Sequence, residues 1–512
     1  MGYLSRCSSG FGSRSSRCPP SFLRPHARQS IASRPRRHCS FAPKVADEAA
    51  HAYEFGGPQE FEQIPTRTDG HLPGVGQSPD SGRFDVHSSI TRLAQRGNLR
   101  VSMALSRVYT LSSRRMLAQK SMLSEFAWDQ RYQVSPLDDV LTPALLLYPE
   151  IVASNIERTL ELLGGDANRW RVHIKTAKLS YTLRMLVDHG IRNFKCATTL
   201  ELLVACRNGA ADVLFAYPAV GASVRRVKEI ADQFPGVCIS VLAENNQQVG
   251  QWRDSRLGVF LDINPGMNRT GIEQSRDDKI VELCRAIGDL GLEFRGLHYY
   301  DGQYGSLEQR QRTVVAHAGY ERLLKVVSEI EHLGRGVPEV VTAGTPTFPC
   351  SLAFKGFRGG GFVHRVSPGT VVYCDATSLA QLPSDYGYLP AVLVLTRVVS
   401  QPRAGIVTCD AGHKAVSADA GVPTCLVVGR PELTPLSPSE EHLPMAFGEE
   451  ATGPHVGDVL HLLPRHVCPT VNNFDCALLV RNSEVKSVEK VSARGREAPL
   501  LQATDQTVHL RS

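Results

Sequence analysis

Absent from the sequence is any apolar run near the roughly 20 residues needed to cross a bilayer, which excludes a membrane-spanning helical protein. Nucleic acid is not called for as a partner: 57 basic and 51 acidic residues leave a formal charge of only +6, and that excess is local. The 13 cysteines include no C-x-x-C pair, and an odd total without an apolar signal core reads as reduced thiols. No repeat of fixed period occurs. Acidic residues are missing altogether from residues 1–46, where Arg6, Arg14, Arg17, Arg24, Arg28, Arg34, Arg36, Arg37 and Lys44 stand among serines. An Arg-rich, Ser-rich, acid-free arm has the composition of a transit peptide, so mitochondrial or plastid targeting is expected. The alternative is a disordered basic arm on a cytoplasmic protein.

At 512 residues the chain is too long for one ordinary domain. Residues 47–130 mix Gly, Pro, Ser and charges without a sustained period and read as a disordered linker. From about residue 140 the texture changes. Short apolar runs lie at 144–148, 170–176, 193–198, 212–217, 237–243, 257–263, 294–300 and 339–344. Between them PEIVASNIERTLELLG, with Pro149 at a first-turn position, and the stretch from Leu307 to Gly334 show the three-and-four spacing of helices. Eight near-continuous apolar strands with crossover connections predict a parallel sheet buried on both faces, closed as a (β/α)8 TIM barrel over 140–365. A doubly wound open sheet is the second choice, weakened because no G-x-G-x-x-G follows the first strand. Beyond Val366, short strands separated by Gly, Pro and Asn predict an all-β C-terminal domain over 366–495, to which 131–140 could add a strand, followed by a tail at 496–512.

The carboxyl ends of barrel strands face the active site. Lys175 lies there, in HIKTAK, alternating with His173 on a largely apolar strand. A lysine so placed must pair with an acid or lose its charge, and a neutral amine can form a Schiff base; otherwise it snorkels outward. The AGTPT loop after the eighth run sets Gly344 and Thr345 where barrels often bind phosphate through backbone N–H groups, or it is an ordinary turn. In the all-β region, RHVCP holds His466 and Cys468 two residues apart. On an extended segment they share a face and suit Zn2+ with two positions left open. Two ligands alone are also what a buried cysteine beside a satisfied histidine looks like.

Taken in order, DVLTPALLLY, HIKTAK, DINPGMNRTGI, GLHYYDGQYG, TAGTPTF, SPGTVVYCD, DAGHKAVSADAG and RHVCPTVNNFD resemble the D-serine dehydratase and D-threonine aldolase family of alanine-racemase-like, fold type III pyridoxal-phosphate enzymes. The resemblance runs from about Leu141 to Ser492. It implies a Schiff base between Lys175 and pyridoxal 5'-phosphate, with His173 alongside and Arg269 as a further cofactor neighbour. It implies Gly344 and Thr345 at the cofactor phosphate, Tyr373 near the domain junction as a further cofactor contact, and His466 and Cys468 as metal ligands. A homodimer and a small-molecule D-amino acid substrate are implied as well. Two departures bear on substrate contacts: Ala177 stands where the family's HxKTHK pattern has a second histidine, and GLHYYDGQYG differs from the better-known members. Cys468 in place of a carboxylate is similar to the zinc-dependent dehydratase branch, and a thiolate favours Zn2+ over harder ions.

The implied activity is that of a lyase on D-β-hydroxy amino acids, either metal-assisted loss of the β-hydroxyl or retro-aldol cleavage, with the cofactor as electron sink and Lys175 as base. An amino-acid racemase of the same fold is the second reading, opposed by the metal pair in the domain that would supply its second base. A non-catalytic pyridoxal-phosphate carrier is the third, opposed by the presence of the all-β domain.

Overall fold

The computed structural model describes residues 130–448 and 452–500; the basic arm, the linker up to residue 129 and the tail from residue 501 lie outside the described residues. The first strand, β1 (Ala144–Leu147), leads into α1 (Pro149–Leu162), which opens on a proline and carries Glu150 in its first turn. The helix buries Ile151, Val152, Asn155, Ile156 and Thr159, one face at helical spacing. The chain then alternates strictly: β2 (Arg171–His173), α2 (Ser180–Asp188), β3 (Asn193–Cys196), α3 (Thr199–Arg207), β4 (Asp212–Phe215), α4 (Ala222–Gln233), β5 (Cys238–Ala243), α5 (Asn246–Gln251) and β6 (Gly258–Asn264). A two-residue β7 (Ile272–Glu273) precedes α6 (Asp277–Asp289), β8 (Glu293–Tyr299), α7 (Gln309–His332), β9 (Glu339–Thr342), α8 (Phe348–Ala353) and β10 (Val363–Val366). The strands pair in parallel in the order β10-β9-β8-β6-β5-β4-β3-β2, and a parallel bridge from Trp170 to Val366 links the two ends of the sheet. The result is the expected (β/α)8 barrel.

After α9 (Ala376–Gln381) the chain is almost entirely strand: β11 (Val392–Arg403), β12 (Ile406–Cys409), β13 (Cys425–Val427), β14 (Thr434–Pro435), β15 (Leu443–Ala446), β16 (Val459–Pro464), the short helix α10 (Val467–Asn472), β17 (Cys476–Arg481) and β18 (Glu484–Lys490). These form the expected all-β C-terminal region.

One expected strand changes sheets. The run at 144–148, read as the first barrel strand, is β1 of the all-β sheet, antiparallel to β11 (Ala144↔Leu395) and parallel to β17 (Leu145↔Ala477). The eighth barrel strand is instead β10, and residues 131–140 hold no strand. Lys175 therefore follows the first barrel strand, and AGTPT follows the seventh. An apolar run buried on both faces looks the same in either sheet. β10 escaped notice because His364 and Arg365 make it read as polar, yet both are buried. His364 bonds Thr342 at 2.8 Å, and Arg365 bonds the Asn168 carbonyl at 2.7 Å and pairs with Glu339.

The barrel interior is layered. At the amino ends of the strands Arg171 pairs with Asp212 (2.9 Å) and Glu339 (2.7 Å), and Arg295 pairs with Asp212 (2.7 Å). Above this ionic plug Leu214, Leu242, Phe260 and Val341 form a separate apolar cluster. His173, Lys195, Asp262 and His298 lie towards the carboxyl ends. The interior is thus a packed core, and only its polar top faces a site.

Candidate active site

Lys175 leaves β2 in the turn before α2. Its backbone N–H donates to Nδ1 of His173 at 3.3 Å, which leaves the imidazole proton on Nε2. Burial first, then the charges of Lys175 and Lys195, hold His173 well below the usual histidine range, so it is neutral. No carboxylate is paired with Lys175 among the described residues. The other lysine of HIKTAK, Lys178, is committed: it is buried and bonded to Glu201 at 2.5 Å, and Glu201 also accepts the Ala197 N–H at 2.8 Å. Of the two amines, only that of Lys175 is left for chemistry.

Gly344 and Thr345 follow β9, and Gly369 and Thr370 follow β10. The Thr370 N–H donates to Thr345 Oγ1 at 3.2 Å, which draws the two loops into one cup of small residues and hydroxyls. Close packing fixes both glycines. A Cβ on Gly344 would lie 2.7 Å from the Tyr300 ring, and one on Gly369 only 2.3 Å from the His173 carbonyl oxygen. Ala343 enters the cup with φ at 64°, a left-handed conformation costly for any residue but glycine. Loops after the seventh and eighth strands are where such barrels hold a phosphate, so the residues present fit a phosphorylated cofactor.

Tyr300 forms one wall. The Arg269 guanidinium lies 4.8 Å from its ring centroid and the Lys195 amine 5.8 Å. Lys195 in turn stands 3.4 Å from Nε2 of His298, whose Nδ1–H donates to Asp262 at 2.7 Å, while Asp262 also accepts from Thr270 at 2.8 Å. Lys175, Lys195 and Arg269 against Asp262 make the chamber basic, which suits a phosphate and an amino-acid carboxylate.

His466 and Cys468 come from the all-β region, at the start of α10. The main chain there is pinned by Asp375, which caps α9 through the Ser378 N–H (2.8 Å) and accepts the Val467 N–H (2.9 Å). Cys468 is buried, with Thr176 Oγ1 at 2.9 Å and Thr370 Oγ1 at 3.7 Å from its sulfur. Burial would raise this thiol, but the His466 hydrogen bond and the charges of Lys175 and His466, with the Thr176 hydroxyl, bring it below its ordinary value. Burial would lower His466, yet its bond to Cys468 and the charges of Cys468 and Asp375, with the Asp419 hydrogen bond, lift it to about 9. Each group thus favours the charged form of the other. Nδ1 of His466 is held by Asp419 at 2.6 Å, which leaves Nε2 as the donor atom for a metal ion. Among the described residues no cluster of three or more His, Cys, Asp or Glu side chains is set to hold a metal. A soft divalent ion bound by this pair would therefore keep open positions.

The structure thus brings Lys175, His173, Gly344, Thr345, Arg269, His466 and Cys468 around one chamber. Tyr373 stands apart: it is fully buried, with its hydroxyl 2.8 Å from Thr182 on α2, so it braces the helix that follows the Lys175 turn. Sequence reasoning passed over Lys195, Gly369, Thr370 and Asp419. The signal for Lys195 was present, since NFKC sets a lysine on an apolar strand just as HIKTAK does. Asp419 lies 47 residues from His466, and no local pattern announces it.

Comparison with known proteins agrees with this architecture. Residues 150–376 match the family described as "Alanine racemase, N-terminal domain", and residues 391–480 match the "Putative serine dehydratase domain". The chain is 27% identical over 384 residues to a 3-hydroxy-D-aspartate aldolase of Paracoccus denitrificans, covering 70% of this chain and 93% of the relative. It is 27% identical over 388 residues to a D-threonine aldolase of Arthrobacter sp, covering 70% and 94%. The crystal structure of a D-threonine aldolase from Filomicrobium marinum superposes with a TM-score of 0.64 at 24% identity, over 72% of this chain and 99% of that one. Both domain families are thus matched in order, the first on the barrel and the second on the all-β sheet, and the relatives that span both are aldolases of D-hydroxy amino acids.

Proposed function

We propose that the chain is a pyridoxal-phosphate-dependent lyase acting on D-β-hydroxy amino acids, with Zn2+ held by His466 and Cys468. One observation carries the reading: the turn bearing the uncommitted Lys175 amine touches the His466–Cys468 pair, Thr176 to Cys468 at 2.9 Å. The similarity to two aldolases of D-hydroxy amino acids supports it.

When bound, the cofactor supplies an electron sink for charge developing at the substrate Cα, and the metal a Lewis acid for the β-hydroxyl. The chain's own residues do the rest. The loops of Gly344 and Thr345 and of Gly369 and Thr370, tied by the Thr370 N–H to Thr345 Oγ1, would hold the phosphate, and Arg269 and Tyr300 wall the site. Lys175 moves a proton at Cα as a free amine. His466 and Cys468 would hold the metal on the all-β side, where it would supply a Lewis acid for the β-hydroxyl. The same parts serve loss of the β-hydroxyl and cleavage of Cα–Cβ; the soft Cys468 ligand favours the first.

The test is product identification with D-serine, D-threonine and 3-hydroxy-D-aspartate in the presence of pyridoxal phosphate and Zn2+. A keto acid with ammonia means loss of the hydroxyl, and glycine with an aldehyde means cleavage. Lys175→Ala should abolish both turnover and the visible absorbance of lysine-bound cofactor. Cofactor uptake with no turnover of any of the three would sink the lyase reading in favour of a carrier. The reading also takes the active species as a homodimer, tested by light scattering, and residues 1–46 as an organelle-targeting arm, tested by import of a fluorescent fusion.

A further inference from the structure

The polar top of the barrel holds one more lysine than the proposed chemistry uses. Lys195 lies on β3 in register with His173, two residues before Lys175, and so one layer deeper than the cofactor lysine. It is 2% exposed. A buried lysine ordinarily has a carboxylate against it, as Lys178 has Glu201. Lys195 has none among the described residues. Its Nζ faces His298 Nε2 at 3.4 Å, a nitrogen left as an acceptor because Nδ1–H is spent on Asp262 at 2.7 Å. It also faces the ring of Tyr300, the same ring that Arg269 covers and that packs on Gly344.

The charged groups around it come from every neighbouring element. Lys175 and Arg171 come from β2 and its turn, Asp262 and Arg269 from β6 and its loop, and His298 from β8. The acids are Asp262, whose oxygens already serve His298 and Thr270, and Asp301 in the turn after β8, whose oxygens already serve Tyr320 and Thr347. Burial, then the charge of Lys175, brings the Lys195 amine down to about 7 against the pull of Asp262. An anionic cofactor bound here would supply a counter-charge, which favours the protonated form of Lys195.

We propose that Lys195, steadied by the His298–Asp262 pair, is a positioning residue that sets by its charge the proton affinity of the linkage between Lys175 and the cofactor. A fixed cation one layer below disfavours a second positive charge on that linkage, which stays unprotonated to lower pH than it otherwise would. The inference rests on Lys175 as the cofactor lysine and adds to it a second amine with no covalent role.

The experiment is a spectrophotometric pH titration of the visible band of the full-length protein saturated with pyridoxal phosphate. In Lys195→Met the band's midpoint should rise by about one pH unit or more. In Lys195→Arg, which keeps the charge, it should stay within a few tenths of a unit of the unmodified value. Lys195→Gln keeps a donor for His298 without the charge, and should follow Lys195→Met; it serves if the methionine variant does not fold by circular dichroism. A neutral variant that binds cofactor with an unmoved midpoint overturns the inference and leaves Lys175 in place. No visible band in the unmodified protein overturns both.

Discussion

Thr176 and Cys468 meet hydroxyl to sulfur at 2.9 Å across 292 residues of sequence. The turn that carries Lys175 is thereby keyed to the segment that carries His466 and Cys468. Thr176→Val keeps the β-branched shape and removes only the hydroxyl. Zn2+ affinity should fall roughly ten-fold or more, as for other losses of outer-shell hydrogen bonds, with pyridoxal phosphate uptake unchanged. Competition with a chromophoric chelator measures it, and unaltered affinity would reduce the contact to packing.

Asp419 plays the matching part on the other side, accepting from Nδ1 of His466 at 2.6 Å. Asp419→Asn leaves a neutral partner that no longer demands the Nδ1 proton, so the ring can turn or present the wrong nitrogen. The expected cost is roughly ten- to a hundred-fold in Zn2+ affinity. Asp419 is part exposed, at 45% of its side chain, so folding stability should barely move. Isothermal titration of the metal and a thermal melt, run side by side, separate these effects.

At the cofactor cup the decisive position is Gly369, because the atom its Cβ would meet is main chain and cannot rotate away. Gly369→Ala must push the His173 carbonyl, 2.3 Å distant, and with it the end of β2. Pyridoxal phosphate affinity should drop by at least about ten-fold, or about 1.4 kcal/mol. Fluorescence titration with the cofactor gives the number, and a wild-type affinity would mean that the cup lies elsewhere.

Much of this site is legible in the sequence where a residue contradicts its surroundings. Lys175 on an apolar strand is such a contradiction, and so is a histidine two residues from a cysteine in RHVCP. Legibility fails where the local pattern is the same for two outcomes. ALLL satisfies a barrel strand and an all-β strand equally, and only pairing with Leu395 and Ala477 decides. It fails again where polar residues are neutralised from a distance. VHRV reads as a surface segment until Thr342, Glu339 and Asn168 are seen to satisfy His364 and Arg365. Lys195 is a third kind of failure, since its meaning depends on which lysine of HIKTAK has an acid, and Glu201 lies one helix further on.

That acid allows a direct test of which lysine does chemistry. Glu201→Gln strands a buried Lys178 ammonium, and breaking one side of such a pair costs about 3–5 kcal/mol. Urea denaturation should show a loss of that order, while the double change Lys178→Met with Glu201→Leu should recover much of it. The visible band of lysine-bound cofactor should survive in the double variant. Its disappearance there would transfer the covalent role from Lys175 to Lys178.

Acid sensitivity follows from a histidine on the far side of β10. His364 is 7% exposed, its Nε2 lies 2.8 Å from Thr342 Oγ1, and its ring stacks on Phe357 at 4.2 Å. Burial, then the charge of Arg169, lowers its pKa from 6.5 to about 3. Above the unfolded value both states are neutral and the interaction contributes in full. Below it the unfolded chain takes up a proton that the native state refuses until about pH 3, so stability falls as the pH drops through that window. The slope from this one group is about 1.4 kcal/mol per pH unit at its steepest. His461, lowered by burial to about 4, acts in the same sense. His364→Gln keeps a hydrogen-bonding partner for Thr342 but cannot titrate. Its unfolding free energy, measured in urea from pH 7 to pH 4, should be lower than wild type at neutral pH yet decline less steeply, by up to one proton. Parallel slopes for the two proteins would mean that His364 accepts its proton while folded, contrary to its setting between Thr342 and the Phe357 ring.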